Sequence, residues 1–189
     1  MSSKRRRKKQ VAPSDRQAVG PASQPEAAGN PVTIYTDGGC INNPGPGGYG
    51  VVLICGRHRK ELSAGFRLTT NNRMEILAAI VGLEALKRPC RVTILSDSQY
   101  LVNAVELGWA RRWQAHGWRR NKEDKALNPD LWERLLQQCE LHKVRFEWLR
   151  GHTGHAENER CDELARAAAQ GPGLGVDRVY ESLNCRILD

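Results

Sequence analysis

From residue 31 onward, apolar residues recur first with one period and then with another, and the change lays out a fold. "VTIYTD" (32–37) alternates, with Val32, Ile34 and Thr36 on one face and Thr33, Tyr35 and Asp37 on the other. That is the two-residue repeat of a half-buried strand. "GGYGVVLICG" (47–56) and "KELSAGFRL" (60–68) follow, separated by turn residues, so the spacing predicts an antiparallel meander. Arg73–Lys87 is apolar over most of its surface and reads as a central, buried helix. "RVTILSD" (91–97) is a fourth strand. A strand, a long helix and another strand form a crossover, which puts that strand parallel to its sheet neighbour. Helices are predicted around Ser98–Leu107 and Pro129–Leu141, then a strand at "KVRFEWL" (143–149) and a last helix at Glu157–Gln170. The fold class is α/β with a mixed sheet. Residues 171–189 carry weaker signals and are expected to be loosely attached.

Ahead of residue 31 the pattern is absent. "SSKRRRKKQ" and the Ala-, Pro-, Ser-, Gln- and Gly-rich stretch behind it have no hydrophobic period, and residues 1–30 are expected to form a disordered tail. Charge reinforces this division. Residues 1–30 hold seven Lys/Arg against two Asp/Glu, so +5 of the chain's +8 lies there and +3 remains for the rest. Nucleic acid is the first partner such a balance suggests. No apolar run approaches a membrane span, and the charged N-terminus has no apolar stretch behind it, so a cytoplasmic protein is expected. Six cysteines lie far apart without a C-x-x-C pair, which predicts reduced thiols rather than a disulfide framework.

Candidate chemistry lies in the carboxylates. "IYTDGG" closes on Asp37 and "TILSDS" closes on Asp97, so two strands linked by a crossover end alike. The carboxyl ends of strands form the rim where α/β proteins place ligands. Asp97 could equally cap the next helix. Glu75 has two readings: with Asn72 as N-cap it sits at N3 of a capping box, yet it shares a helix face with Ala78, Ala79, Gly82 and Leu86. In the final helix Cys161, Leu164, Ala165 and Ala168 form the inward stripe, and Asp162 lies at its edge. "GHTGHAENERCD" (151–162) resembles a set of zinc ligands, but Cys161 belongs to the stripe, and oxygen-only ligation favours Mg²⁺ or Mn²⁺. Carboxylates converging on one rim suit phosphodiester hydrolysis with two ions.

Taken together, "TDGG…NNPGPGGYG", "TTNNRME", "SDSQY" and "GHTGHAENERCDELA" closely resemble the motifs of the type 1 ribonuclease H family in its bacterial form, from about Thr33 to Ala169. The resemblance implies a ribonuclease H-like fold: a mixed five-stranded sheet, three strands antiparallel and the others parallel, flanked by helices, with a basic handle, in a catalytic domain of residues 31–170. It implies endonucleolytic cleavage of the RNA strand of an RNA–DNA hybrid, leaving 5′-phosphate and 3′-hydroxyl ends. Asp37, Glu75, Asp97 and Asp162 would be the catalytic carboxylates binding two Mg²⁺ ions, with Mn²⁺ a possible substitute, and His152 would assist proton transfer and product release. RNA sugars would meet Cys40, Asn43, Asn71, Asn72 and Gln99. The DNA strand would meet Thr70 and Asn128 through a phosphate, and Tyr100 and Trp113 through the backbone. A monomer without membrane association is implied.

"WARRWQAHGWRRNKEDK" (109–125), with three tryptophans among basic residues, is similar to the family's hybrid-gripping handle. The chain departs from the family at Gly39, where serine is usual, and in the handle, where Arg111 and Arg112 stand upstream of the common cluster. It departs again at Leu68, which occupies the phosphate-pocket arginine position, with Arg67 one residue early. A catalytically silent hybrid-binding module and a same-fold enzyme acting on DNA are the competing classes. The four carboxylates count against the first, and the amides suited to a 2′-hydroxyl count against the second.

Overall fold

The computed structural model describes residues 31–151 and 154–185; the basic tail and His152 lie outside them. The strands are β1 (Val32–Cys40), β2 (Gly45–Cys55), β3 (His58–Thr69), β4 (Arg91–Ser96) and β5 (Lys143–Trp148). The helices are α1 (Asn71–Glu84), α2 (Gln99–Glu106), α3 (Trp109–Ala115), α4 (Pro129–Leu141), α5 (Ala156–Gln170) and α6 (Arg178–Cys185). The five strands form one sheet in the order β3-β2-β1-β4-β5. β1 to β3 pair antiparallel, while β4 joins β1, and β5 joins β4, in parallel.

The sheet is covered on both faces, and its interior strand β2 carries buried apolar residues of both parities, Val51 and Leu53 on one face and Val52 on the other. On one face Ile34 and Val51 meet Gly82 of α1, whose absent side chain lets the helix sit close. α4 packs behind α1, and the buried Trp132, Leu135 and Leu136 extend the core there. On the other face lies α5. A Cβ at Gly50 would stand 2.0 Å from the Cys161 carbonyl oxygen, so α5 rests directly on the β2 backbone through its stripe of Cys161 and Ala165.

The structure changes three details of the sequence reading. Thr70, not Asn72, caps α1: its side chain accepts from the Arg73 N–H, so Glu75 stands two positions deeper, at N5, and belongs to no capping box. The basic segment begins with a helix of its own, α3. Residues 171–185 are anchored rather than loose. Gly175 exchanges backbone hydrogen bonds with the edge strand β3 (Gly175 N to Gly65 O 2.8 Å, Arg67 N to Gly175 O 3.0 Å), and the buried Asp177 ties α6 to Thr69 and Arg73. These ties are polar and span more than 100 residues. They leave no periodic apolar signal behind.

Candidate active site

Parallel pairing brings the first two carboxylates together. Thr36 is the partner of Ser96 in the β1–β4 register, so the next residues, Asp37 and Asp97, emerge side by side where that pairing stops. β1 itself continues to Cys40 against β2. Asp97 does not cap α2; Ser98 does, accepting from the Leu101 N–H. The Asp97 backbone is held from β5, where the Trp148 indole donates to its carbonyl at 3.0 Å.

Glu75 arrives from α1, and a glycine lets it. A Cβ on Gly38 would stand 2.3 Å from the Glu75 backbone nitrogen and 2.3 Å from the Met74 carbonyl carbon. Only a residue without a side chain allows the first turns of α1 to lie against β1 at that point. Asp37, Glu75 and Asp97 thereby place carboxylate oxygens within 4.8 Å of one another. Replacing Gly38 by alanine is expected to push α1 from β1. It should cost roughly 2–4 kcal/mol, the scale of severe overpacking, and suppress any activity that needs the cluster. A thermal melt alongside an activity assay checks it; an unchanged melt would mean α1 can shift at no cost.

The electrostatics of this cluster are unfavourable as it stands. Burial, then the charges of Asp37 and Asp97, raise the Glu75 carboxyl well above its ordinary value. Although the residue is only half-buried, its Oε2 is buried and has no hydrogen-bond partner among the described residues. Asn158 Oδ1, lining the same cavity, is likewise buried and unpartnered. Anionic and amide oxygens lining one cavity, with Glu75 Oε2 and Asn158 Oδ1 left without a donor among the described residues, fit a hard divalent cation.

Asp162 lines this cavity of about 380 Å³ from α5, but its carboxylate is paired with Arg166 one turn on and lies outside the tight group of three. Glu159 holds the neighbouring loop, accepting from the Gly154 N–H. A Cβ on Gly151 would stand 2.9 Å from Asp97 Oδ2, so the chain passes directly over the cluster just before His152.

Around the cluster, Asn43, Asn71, Asn72 and Gln99 are exposed. The Asn43 side chain accepts from the Asn71 N–H, joining the β1–β2 turn to the start of α1. The Cys40 thiol is turned away, donating to the carbonyls of Gly45 and Thr69. Thr70 and Asn128 stand at the starts of α1 and α4. Tyr100 stacks on Trp113, which is itself buried against the edge of Trp132. Trp113 therefore anchors the handle in the core. Beside it Arg112, His116, Arg119, Arg120 and Lys122 line a basic hollow of about 510 Å³.

Sequence reasoning missed Arg73, which is 3% exposed beneath Thr70 and Asn128. Burial works against its charge, but hydrogen bonds to Asp130 and Asp177 hold its pKa above the ordinary arginine value. The available signal was a cation one turn before Leu77 on an otherwise apolar helix face. Asp177 gave none, because it also looks like an ordinary helix start.

A mixed sheet whose adjacent parallel strands deliver two aspartates to one rim, met there by a glutamate from the crossover helix, defines an α/β protein with an acidic centre suited to divalent cations. The RNase H family model matches residues 29–170. The chain belongs to the ribonuclease H family, as a type 1 enzyme. It is 66% identical to the ribonuclease H of Desulforamulus reducens over 146 residues, 77% of this chain and 92% of that protein. Among solved structures it is similar to LC9-RNase H1, a type 1 RNase H with the type 2 active-site motif, at 32% identity and a TM-score of 0.69, over 86% of this chain and 84% of that one. It is also similar to LC11-RNase H1, solved in complex with an RNA/DNA hybrid, at 26% identity and a TM-score of 0.54, over 73% of this chain and 96% of that one.

Proposed function

We propose that this protein cleaves the RNA strand of RNA–DNA hybrids internally, leaving 5′-phosphate and 3′-hydroxyl ends, with two Mg²⁺ ions as cofactors. The observation that carries the reading is the convergence of Asp37, Glu75 and Asp97 within 4.8 Å, with Glu75 Oε2 buried and unpartnered. These three would hold the cations, with Asp162 contributing from across the cavity once released from Arg166. Bound there, divalent cations supply Lewis acidity, lowering the pKa of an attacking water and offsetting charge on the phosphodiester.

The chain's own residues supply substrate choice. The exposed amides of Asn43, Asn71, Asn72 and Gln99 can both donate to and accept from a 2′-hydroxyl, the group that separates RNA from DNA. Cys40 would contribute its backbone, since its thiol is engaged elsewhere. Thr70, Asn128 and Tyr100 would face the DNA strand, with Trp113 stacked on Tyr100 as its support from the core and the basic hollow of the handle holding further phosphates. His152, next in sequence to Gly151, would carry protons to and from the reacting oxygens. Residues 31–170 form the catalytic domain in this reading, and the protein works as a cytoplasmic monomer, like a bacterial enzyme.

Incubating a labelled RNA–DNA hybrid, a DNA duplex and an RNA duplex with the protein, in Mg²⁺ or in EDTA, tests it. Cleavage of the hybrid's RNA strand in Mg²⁺ alone is expected. Binding without cutting would sink the enzyme reading, and cutting of the DNA duplex would sink the substrate.

A further inference from the structure

Thr70 and Asn128 come from separate segments, and the gap between them is fixed by an ion network that a third segment completes. Arg73, three residues after Thr70 on α1, donates to both carboxylate oxygens of Asp130, two residues after Asn128 (3.0 and 2.8 Å). The same guanidinium donates to Asn128 Oδ1 at 3.4 Å. Its remaining edge is held from behind by Asp177, at 2.6 Å from Nε and 2.8 Å from an Nη. Asp177 in turn accepts from the Thr69 hydroxyl at 2.9 Å, immediately before Thr70. The Tyr180 ring closes over the guanidinium, 5.8 Å from its centre. Thus a planar fork with every side occupied spans α1, the start of α4 and α6.

Asp177 lies beyond residues 29–170, the stretch that the family model matches. We propose that Asp177 is a positioning residue for the DNA-strand side of the site: by clamping Arg73 it fixes the separation and orientation of Thr70 and Asn128, and so the seat for one DNA phosphate. This rests on the hybrid-cleaving reading above. The clamp matters more here because Leu68 stands at the position where the family's pocket has an arginine, and Arg67 beside it is drawn away to Glu181 of α6. With that arginine absent, the phosphate depends on short neutral donors, whose hydrogen bonds weaken steeply once misaligned. α6 therefore belongs to the substrate-binding architecture as well as to the fold.

The test is steady-state cleavage of hybrids in which single DNA phosphates are replaced in turn by neutral methylphosphonates. Wild-type protein should show one position where replacement raises KM, by roughly three- to tenfold for the loss of charge-assisted contacts. Asp177→Asn keeps the size and one acceptor but removes the charge. It should raise KM on the unmodified hybrid by a similar factor, leave kcat per folded molecule unchanged, and shrink the penalty at that one phosphate. Asp177→Glu should restore part of the loss. An unchanged KM for Asp177→Asn would overturn the proposal. So would a kcat that falls in step with the unfolded fraction while the methylphosphonate penalty stays whole, because that marks a purely structural residue. Failure of wild-type protein to cleave any hybrid would instead defeat the functional reading.

Discussion

Glu75→Gln will not cleave a hybrid, and in metal-free buffer it will unfold at a higher temperature than the wild type. Both effects come from one arrangement. The Glu75 carboxyl is desolvated and faces Asp37 and Asp97, so its charged form is disfavoured in the folded chain. The neutral amide removes that repulsion and supplies N–H donors to two neighbouring carboxylates. A gain of about 1–3 kcal/mol is expected, the scale of an uncompensated buried polar group. That corresponds to a rise in Tm of roughly 2–12 °C for a chain of this length.

The pH dependence has a definite sign. A carboxyl whose folded pKa is raised binds its proton more tightly in the folded than in the unfolded chain. Its contribution to stability is complete below the ordinary value of 4.5 and is lost as pH rises from there through the raised value. Metal-free wild type should therefore lose stability relative to Glu75→Gln across that window, and Mg²⁺ should restore it to the wild type alone. Asp97→Asn should likewise abolish cleavage while fold and hybrid binding persist. Thermal melts across pH, with and without Mg²⁺, check the stability claims; a Glu75→Gln melt below the wild type at neutral pH would contradict them.

The second large effect is at Arg73. Arg73→Ala leaves Asp130 and Asp177 without their shared cation, and Asp177 is only 8% exposed. Removing one partner of a buried ion network typically costs about 3–5 kcal/mol, so Tm should fall by roughly 6–20 °C. Residues 171–185 should also lose protection in hydrogen exchange, because Asp177 and the Tyr180 ring both lose what they grip. Arg73→Lys keeps the charge but not the planar fork and should fall between. A melt within 2 °C of the wild type would show the network to be dispensable.

The order of strands and helices was legible in the residues because each element carries its own period. The alternation of "VTIYTD" and the apolar girth of α1 are local properties. The crossover rule made β4 parallel to its sheet neighbour; the structure shows that neighbour to be β1, and β1–β4 pairing is what sets Asp37 beside Asp97. Glu75 was ambiguous in sequence, since Asn72 mimicked a cap; the cap is Thr70, and this removes the capping role. Asp162 was read as one of four equals, yet its carboxylate pairs with Arg166, an i, i+4 choice that depends on rotamers rather than on pattern.

By itself, then, the sequence determined the α/β class, the strand that delivers each aspartate, the inward stripe of α5 and the family. Periodicity and motif spacing are written residue by residue. Only the tertiary structure decided how closely the carboxylates approach, which groups are left unpartnered, and that the C-terminal extension reaches back to Arg73. Gly38 matters through a backbone 36 residues away, at Met74, and Asp177 through a guanidinium 104 residues away. Close approach and long-range ion pairing depend on distance in space, which no local pattern of hydrophobic and polar positions encodes.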